Sequence, residues 1–245
     1  MVIKTKKYTT EQITEAIKFW TKILENKSPF LDALVDDFGY DAVFSEKSKI
    51  TVSLNVIEKI AKISNAIIFN STLRDIDFIE DYEDKHMTPG AMLGYFFTAW
   101  EDPSSGKFNL LLQRGIDKSG NIFLPPTIYV SKQFLGQQMH LVALASVVVH
   151  ELIHQKIVEE ADSARLEMLV SCQHDMHSEE CFKIANDINA KHGLNVTKYG
   201  SSAYDNETMK ALKNFVGNDY NESDCEKNKC YRTWKKGNYI SVILY

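Results

Sequence analysis

Residues 139–158 read MHLVALASVVVHELIHQKIV, a run with no glycine or proline. Its length suits a helix rather than a strand. The three valines Val147–Val149 are poor helix formers, but burial overrides so weak a preference. Inside the run stands His150-Glu151-Leu152-Ile153-His154, the pattern H-E-x-x-H. Residues four apart lie on one helical face, so two imidazoles there can share one zinc ion. Zinc makes a water acidic enough to ionise near neutral pH, and a carboxylate beside it can shuttle the proton. The expectation is a Zn2+ cofactor on His150 and His154, with Glu151 as the catalytic base.

A catalytic zinc normally takes three protein ligands and keeps one position open. The downstream candidates are Glu159, Glu160, Asp162, Glu167, His174, Asp175 and His177. On an unbroken helix Glu167 would lie ~20 Å beyond His154, out of reach. Glu159 and Glu160, about one and a half turns along, are expected to face solvent or to hold a supporting hydrogen bond. A second helix must therefore turn back to deliver the ligand. Ser178 reads as its N-cap, Glu179 and Glu180 fill its first turn, and Gly193 reads as its stop. Phe182, Ala185 and Ile188 give it an apolar stripe. His177 stands just before that start, with His174 as its rival.

The flanks predict the rest of the architecture. Thr9, Gln12, Ile13, Ile17, Trp20 and Leu24 suggest a capped amphipathic helix over 9–26, and Leu54, Ile57 and Ile60 another over 53–64. Residues 66–69 read as a short strand, and the acidic stretch 74–85 as a solvated loop. Strand-like runs follow at 91–100, 108–114 and 127–130, separated by the turn-forming 101–106 and 117–120. Strands leading directly into a long helix predict an α+β fold, a small mixed sheet packed beside the H-E-x-x-H helix. Residues 201–224 read as a linker around one short helix, and 239–245 as a final strand.

Bulk properties frame this. The length suits one domain with a small appendage, and 44% hydrophobic residues can fill a sizeable core. No apolar run reaches the ~20 residues of a membrane span, so no membrane partner is expected. The N-terminus shows no secretory pattern, and four cysteines without a dense framework suit a reducing, cytoplasmic setting. The sequons at Asn70 and Asn195 then carry no glycan. A net charge of −5 excludes a molecule that clings to nucleic acid over its whole surface. The tail is locally basic, with Lys227, Lys229, Arg232, Lys235 and Lys236 around Tyr231 and Trp234. That composition suits phosphate contact and base stacking, although a solvated charged face explains it equally well.

Two blocks, HELIHQ at 150–155 and DMHSEECFKIANDINAKHGLNVT at 175–197, resemble the SprT-like metallopeptidases, which include Spartan and related DNA–protein-crosslink proteases. The second block looks like the family's D-x-H-G-x-x-F segment, then an Ile-Asn pair (Ile188-Asn189) and a Gly-x-Asn-Val-Thr stretch from Gly193 to Thr197. The resemblance covers roughly 45–200 and is strongest over 150–200. In register it implies His177 as the third zinc ligand and a zincin-like minimal metallopeptidase fold. It implies domains at 1–45 (an N-terminal helical extension), 46–200 (the peptidase) and 201–245 (a tail, read as a degenerate zinc ribbon). The implied activity is a zinc-dependent endopeptidase acting on protein or peptide, including protein attached to single-stranded or damaged DNA. That would extend the location to the nucleus or nucleoid. The alternative is a catalytically silent, zinc-stabilised binding module. Tyr199 and His174 are candidate oxyanion donors. The chain departs from the pattern at Ser178, where the family has Gly, and at Cys181, where it has an aromatic residue. The tail supplies only Cys225 and Cys230, too few for a tetrahedral site, while Cys172 and Cys181 are expected to be buried thiols.

Overall fold

A computed structural model describes residues 9–11, 14, 28–81, 92–116, 120, 122–123, 125–171, 179–197, 204–216, 231–236 and 239–244. The chain divides into two units, Ser28–Ala211 and a smaller one formed by Met1–Lys27 with Leu212–Tyr245.

The larger unit begins with α1 (Pro29–Phe38) and α2 (Tyr40–Phe44). Proline at the first position of α1 sacrifices no intrahelical bond, and the Ser28 hydroxyl accepts from the Leu31 N–H at 3.2 Å. Gly39, at φ 89°, takes the left-handed turn between the two helices. Neither helix was anticipated from the sequence, yet both supply core residues, Phe30, Leu31, Leu34, Val43 and Phe44. Strand β1 (Ile50–Thr51) leads into α3 (Leu54–Ile67), capped by the Ser53 hydroxyl on Val56 N–H. The strand expected over 66–69 is instead the last turn of α3 and the bend after it. An apolar run this short fits either period, and here only Phe69 of it is buried, in the bend beyond the helix that buries Ile57, Ile60 and Ala61.

The central sheet has three strands in the order β2–β8–β3: β2 (Asp77–Asp81), β8 (Thr127–Ser131) and β3 (Leu93–Phe96). Strand β8 runs parallel to β2 and antiparallel to β3, so the sheet is mixed. The acidic stretch at 74–85 is therefore no simple loop. Asp77–Asp81 pairs residue for residue with Thr127–Ser131. The central strand TIYVS is buried at every position, which is why it reads as a continuous apolar run without alternation. The run at 91–100 breaks into β3 and β4 (Ala99–Glu101), and β4 pairs with β5 (Phe108–Leu110). Short pairs β6–β7 (Gly115–Ile116 with Ile122–Phe123) and β1–β9 (β9, Gln138–Met139) complete the strands of this unit among the described residues.

Helix α4 (Leu141–Glu159) carries the H-E-x-x-H motif and is the axis of the core. It packs against α2, α3, β3 and α6 (Glu179–His192), so it is covered on all sides. A helix buried all round need not be amphipathic, which accounts for leucine, valine and alanine on every face. By length and composition it would also pass for a membrane span, with mean hydropathy 1.5. However, 89% of that window is buried inside the protein. Helix α5 (Ser163–Ser171) follows a bend at Glu160–Asp162 and packs on β4 and β5. The last helix is α7 (Tyr204–Val216), thirteen residues within the stretch expected to be mainly linker.

Side chains that grip backbone fix three connections. The Asn65 amide bonds both the N–H and the carbonyl of Leu73. Asn189 does the same to Val196. Gln155 donates to the Arg74 carbonyl while Glu159 accepts from the Arg74 N–H. Each grip imitates a strand pairing where no strand is available and satisfies polar groups that would otherwise be orphaned.

In the smaller unit β10 (Tyr231–Lys236) and β11 (Tyr239–Leu244) form an antiparallel ribbon, pairing Tyr231 with Leu244 through Lys236 with Tyr239. Of the helix expected over 9–26, only 9–11 and 14 are described, and 10, 11 and 14 are helical. The two tail cysteines Cys225 and Cys230, and the basic Lys227 and Lys229, lie outside the described residues.

Candidate metal centre

Helical spacing brings the two motif histidines together. The Nε2 atoms of His150 and His154 are 3.0 Å apart, and the rings meet edge to face with centroids 4.6 Å apart. His154 is 5% exposed, whereas His150 is half-buried. The pair is thus anchored at one end in the core and open at the other. Two nitrogens bound at zinc distances to one tetrahedral ion sit about 3.3 Å apart. The observed separation is a few tenths of an ångström shorter, an adjustment that small side-chain rotations supply. The donor set fits zinc, since imidazole nitrogen is a favoured ligand for it.

Glu151 occupies the next position and is 7% exposed. Burial pushes its carboxyl up to about 7, and a hydrogen bond from the Tyr95 backbone N–H pulls the other way. Strand β3, which carries Tyr95, packs directly on α4, so the sheet's antiparallel edge reaches the carboxylate of the motif. Nothing local in the sequence signals this contact beyond the strand-like run at 91–100. The Tyr95 side chain is largely buried, and burial first and Glu159 second hold its phenol protonated far above the ordinary range.

Further along the helix, Glu159 accepts from the Arg74 N–H and from the Gln155 amide, which fits a supporting hydrogen bond. Glu160 is exposed and pairs with Lys156. Because α4 ends here, Glu167 falls on α5, where it is exposed. Asp162 caps α5 by accepting from the Arg165 N–H at 2.9 Å.

Helix α6 runs as the sequence predicts. It starts at Glu179 and ends at His192, where Gly193 (φ 66°) donates its N–H to the Asn189 carbonyl. Its N-terminal half brings Cys181, a buried free thiol, into the electrostatic range of Glu151. Burial, then Glu151 and Glu180, push that thiol up to about 11, so it stays protonated. The Asn195 N–H donates to the Ser146 hydroxyl of α4 at 3.1 Å, fastening the end of this segment to the motif helix.

The expected third ligand His177, its rival His174 and the candidate oxyanion donor Tyr199 lie outside the described residues, as does Cys172. Among the described residues no group of three or more His, Cys, Asp or Glu side chains gathers to hold a metal. Of the expected ligands, His150 and His154 are brought together. No protein-family model, curated protein or solved structure matches this chain.

Proposed function

We propose that the chain is a zinc-dependent endopeptidase of the SprT-like, zincin kind. The observation that carries this reading is the convergence of the His150 and His154 Nε2 atoms at 3.0 Å, with the buried carboxyl of Glu151 on the same helix. His150 and His154 would hold the metal, and His177 would complete its protein ligands. Bound there, zinc supplies Lewis acidity, polarising a peptide carbonyl and bringing a water's pKa toward ~7.

The protein's own groups do the rest. Glu151 takes the proton of the attacking water and returns it to the leaving amine. The Tyr95 N–H fixes where that carboxylate points, and the apolar packing around α4 keeps bulk water from it. A carboxyl poised near neutrality is suited to both halves of such a shuttle. Substrate would lie extended along the sheet edge at β3, beside the motif helix.

Protein attached to DNA is the substrate class to which the SprT-like resemblance points. The basic and aromatic composition of the tail, with Arg232, Trp234, Lys235 and Lys236, is what supports a nucleic-acid contact.

The test is cleavage of unfolded and DNA-linked proteins, with and without single-stranded DNA, by wild type and by Glu151→Gln. Zinc-dependent cleavage lost in the variant supports the peptidase. Equal and complete survival of all substrates leaves the zinc-stabilised binding module as the better reading.

A further inference from the structure

The start of the motif helix is held by an unusual group. His140 is the N-cap of α4, and its Nδ1 accepts a hydrogen bond from the Val142 N–H at 3.3 Å. Serine, threonine, aspartate and asparagine are the ordinary caps because their oxygens accept in any protonation state near neutrality. An imidazole accepts only through an unprotonated nitrogen, so this cap requires neutral His140 with its proton on Nε2. The backbone of Ser45, at the end of α2, is close enough to favour a proton on the ring. The ring thus lies between the first turn of the site-bearing helix, which it caps, and the corner that joins α2 to β1. The residue is 0% exposed.

We propose that His140 is an acid-sensitive clasp, closed while the ring is neutral and opened by a proton on Nδ1. Protonation would turn the acceptor into a second donor aimed at the Val142 N–H. It would also place a positive charge at the positive end of the helix dipole, inside the protein. Of the surrounding charges, Lys49 opposes the proton and Glu46 favours it. The first turns of α4 bring no charge of their own, since 141–149 reads LVALASVVV. Burial is the largest influence, and the ring is held down to about 4 against an ordinary value of 6.5. The clasp depends on no metal and no substrate, so its failure and that of the peptidase reading are separable.

Hydrogen exchange of the full chain at pH 7.5 and pH 5.0, corrected for intrinsic rates, tests the clasp. An opened turn whose histidine titrates normally should open about thirtyfold more readily at pH 5.0 than at pH 7.5. Amides at 142–144 should show that loss in wild type, and His140→Asn, which caps without titrating, should not. The same loss in His140→Asn, or none in wild type, overturns the proposal. A second measurement does not depend on the variant folding. Nitrogen chemical shifts of His140 in the wild-type protein should show Nε2–H and bare Nδ1 at pH 7.5, and the opposite tautomer there would refute the clasp.

Discussion

Zinc binding should raise thermal stability by an amount set by the two motif histidines, and their unequal burial makes the test discriminating. Zinc at a hundred times its dissociation constant adds ~2.7 kcal/mol to a protein that binds it only when folded. For a chain of this size, each kcal/mol moves Tm by roughly 2–4 °C, so the expected gain is about 5–10 °C. His150 is half-buried, and replacing it by alanine leaves no sealed void. His150→Ala should therefore keep the metal-free Tm within about 2 °C and abolish the zinc-dependent gain. His154 is 5% exposed, so His154→Ala also opens a cavity. It should lower the metal-free protein by about 2–3 kcal/mol before zinc is considered. The assay is differential scanning fluorimetry in chelator-treated buffer, repeated with zinc and with magnesium as control. An undiminished zinc-dependent rise in His150→Ala would refute the assignment, because the Nε2 pair could then not be what holds the ion.

Three further outcomes follow from the same geometry. Glu151→Gln should keep the zinc-dependent rise in Tm while cutting turnover by about 10²–10⁴-fold, measured on any substrate wild type cleaves; unchanged turnover would remove Glu151 from the mechanism. His192 is 2% exposed at the end of α6 and is held down to about 4, by burial first and by Lys191 second. Its folded value lies below its unfolded value, so its neutral burial costs nothing above pH ~6.5, and stability falls as pH drops from there toward 4. That loss amounts to ~2 kcal/mol between pH 7.5 and 5.0. It should shrink in His192→Leu, as read from urea midpoints, and an identical pH dependence in the variant would contradict it. Asn189→Ala removes both bonds to the buried backbone of Val196 and should destabilise by roughly 2–4 kcal/mol in urea unfolding. A loss below about 0.5 kcal/mol would mean the grip does not hold that segment.

The helices around the site were legible because their signals are local. The run at 139–158 became Leu141–Glu159, and the Ser178 and Gly193 signals bracket Glu179–His192. Strand 127–130 was legible because a strand buried on both faces must be apolar throughout. Strand β2 was not, because its identity comes from a partner fifty positions away and its own residues DFIED look like a solvated turn. Helix α1 carried a readable start in Ser28-Pro29, but its acidic DALVDD interior dilutes the stripe. At the site, His150, Glu151 and His154 follow from spacing alone. The Tyr95 N–H on Glu151 and the thiol of Cys181 within its electrostatic range do not, since sheet edge and helix meet only through the fold.

The pairing pattern of the central sheet also bears on how the site comes into being. Register couples position 77 to 127 and position 93 to 130, so both edge strands join β8 only after long stretches of chain have closed. Such closures are slow compared with helix growth, which takes well under a millisecond. The histidine pair needs only one turn of α4, whereas the Tyr95 backbone that steadies Glu151 comes with β3, an edge strand that must find β8. A refolding chain would thus acquire the ability to capture an ion before it acquires an oriented base. On the peptidase reading, the parts of a hydrolytic centre would come together only once the sheet is complete.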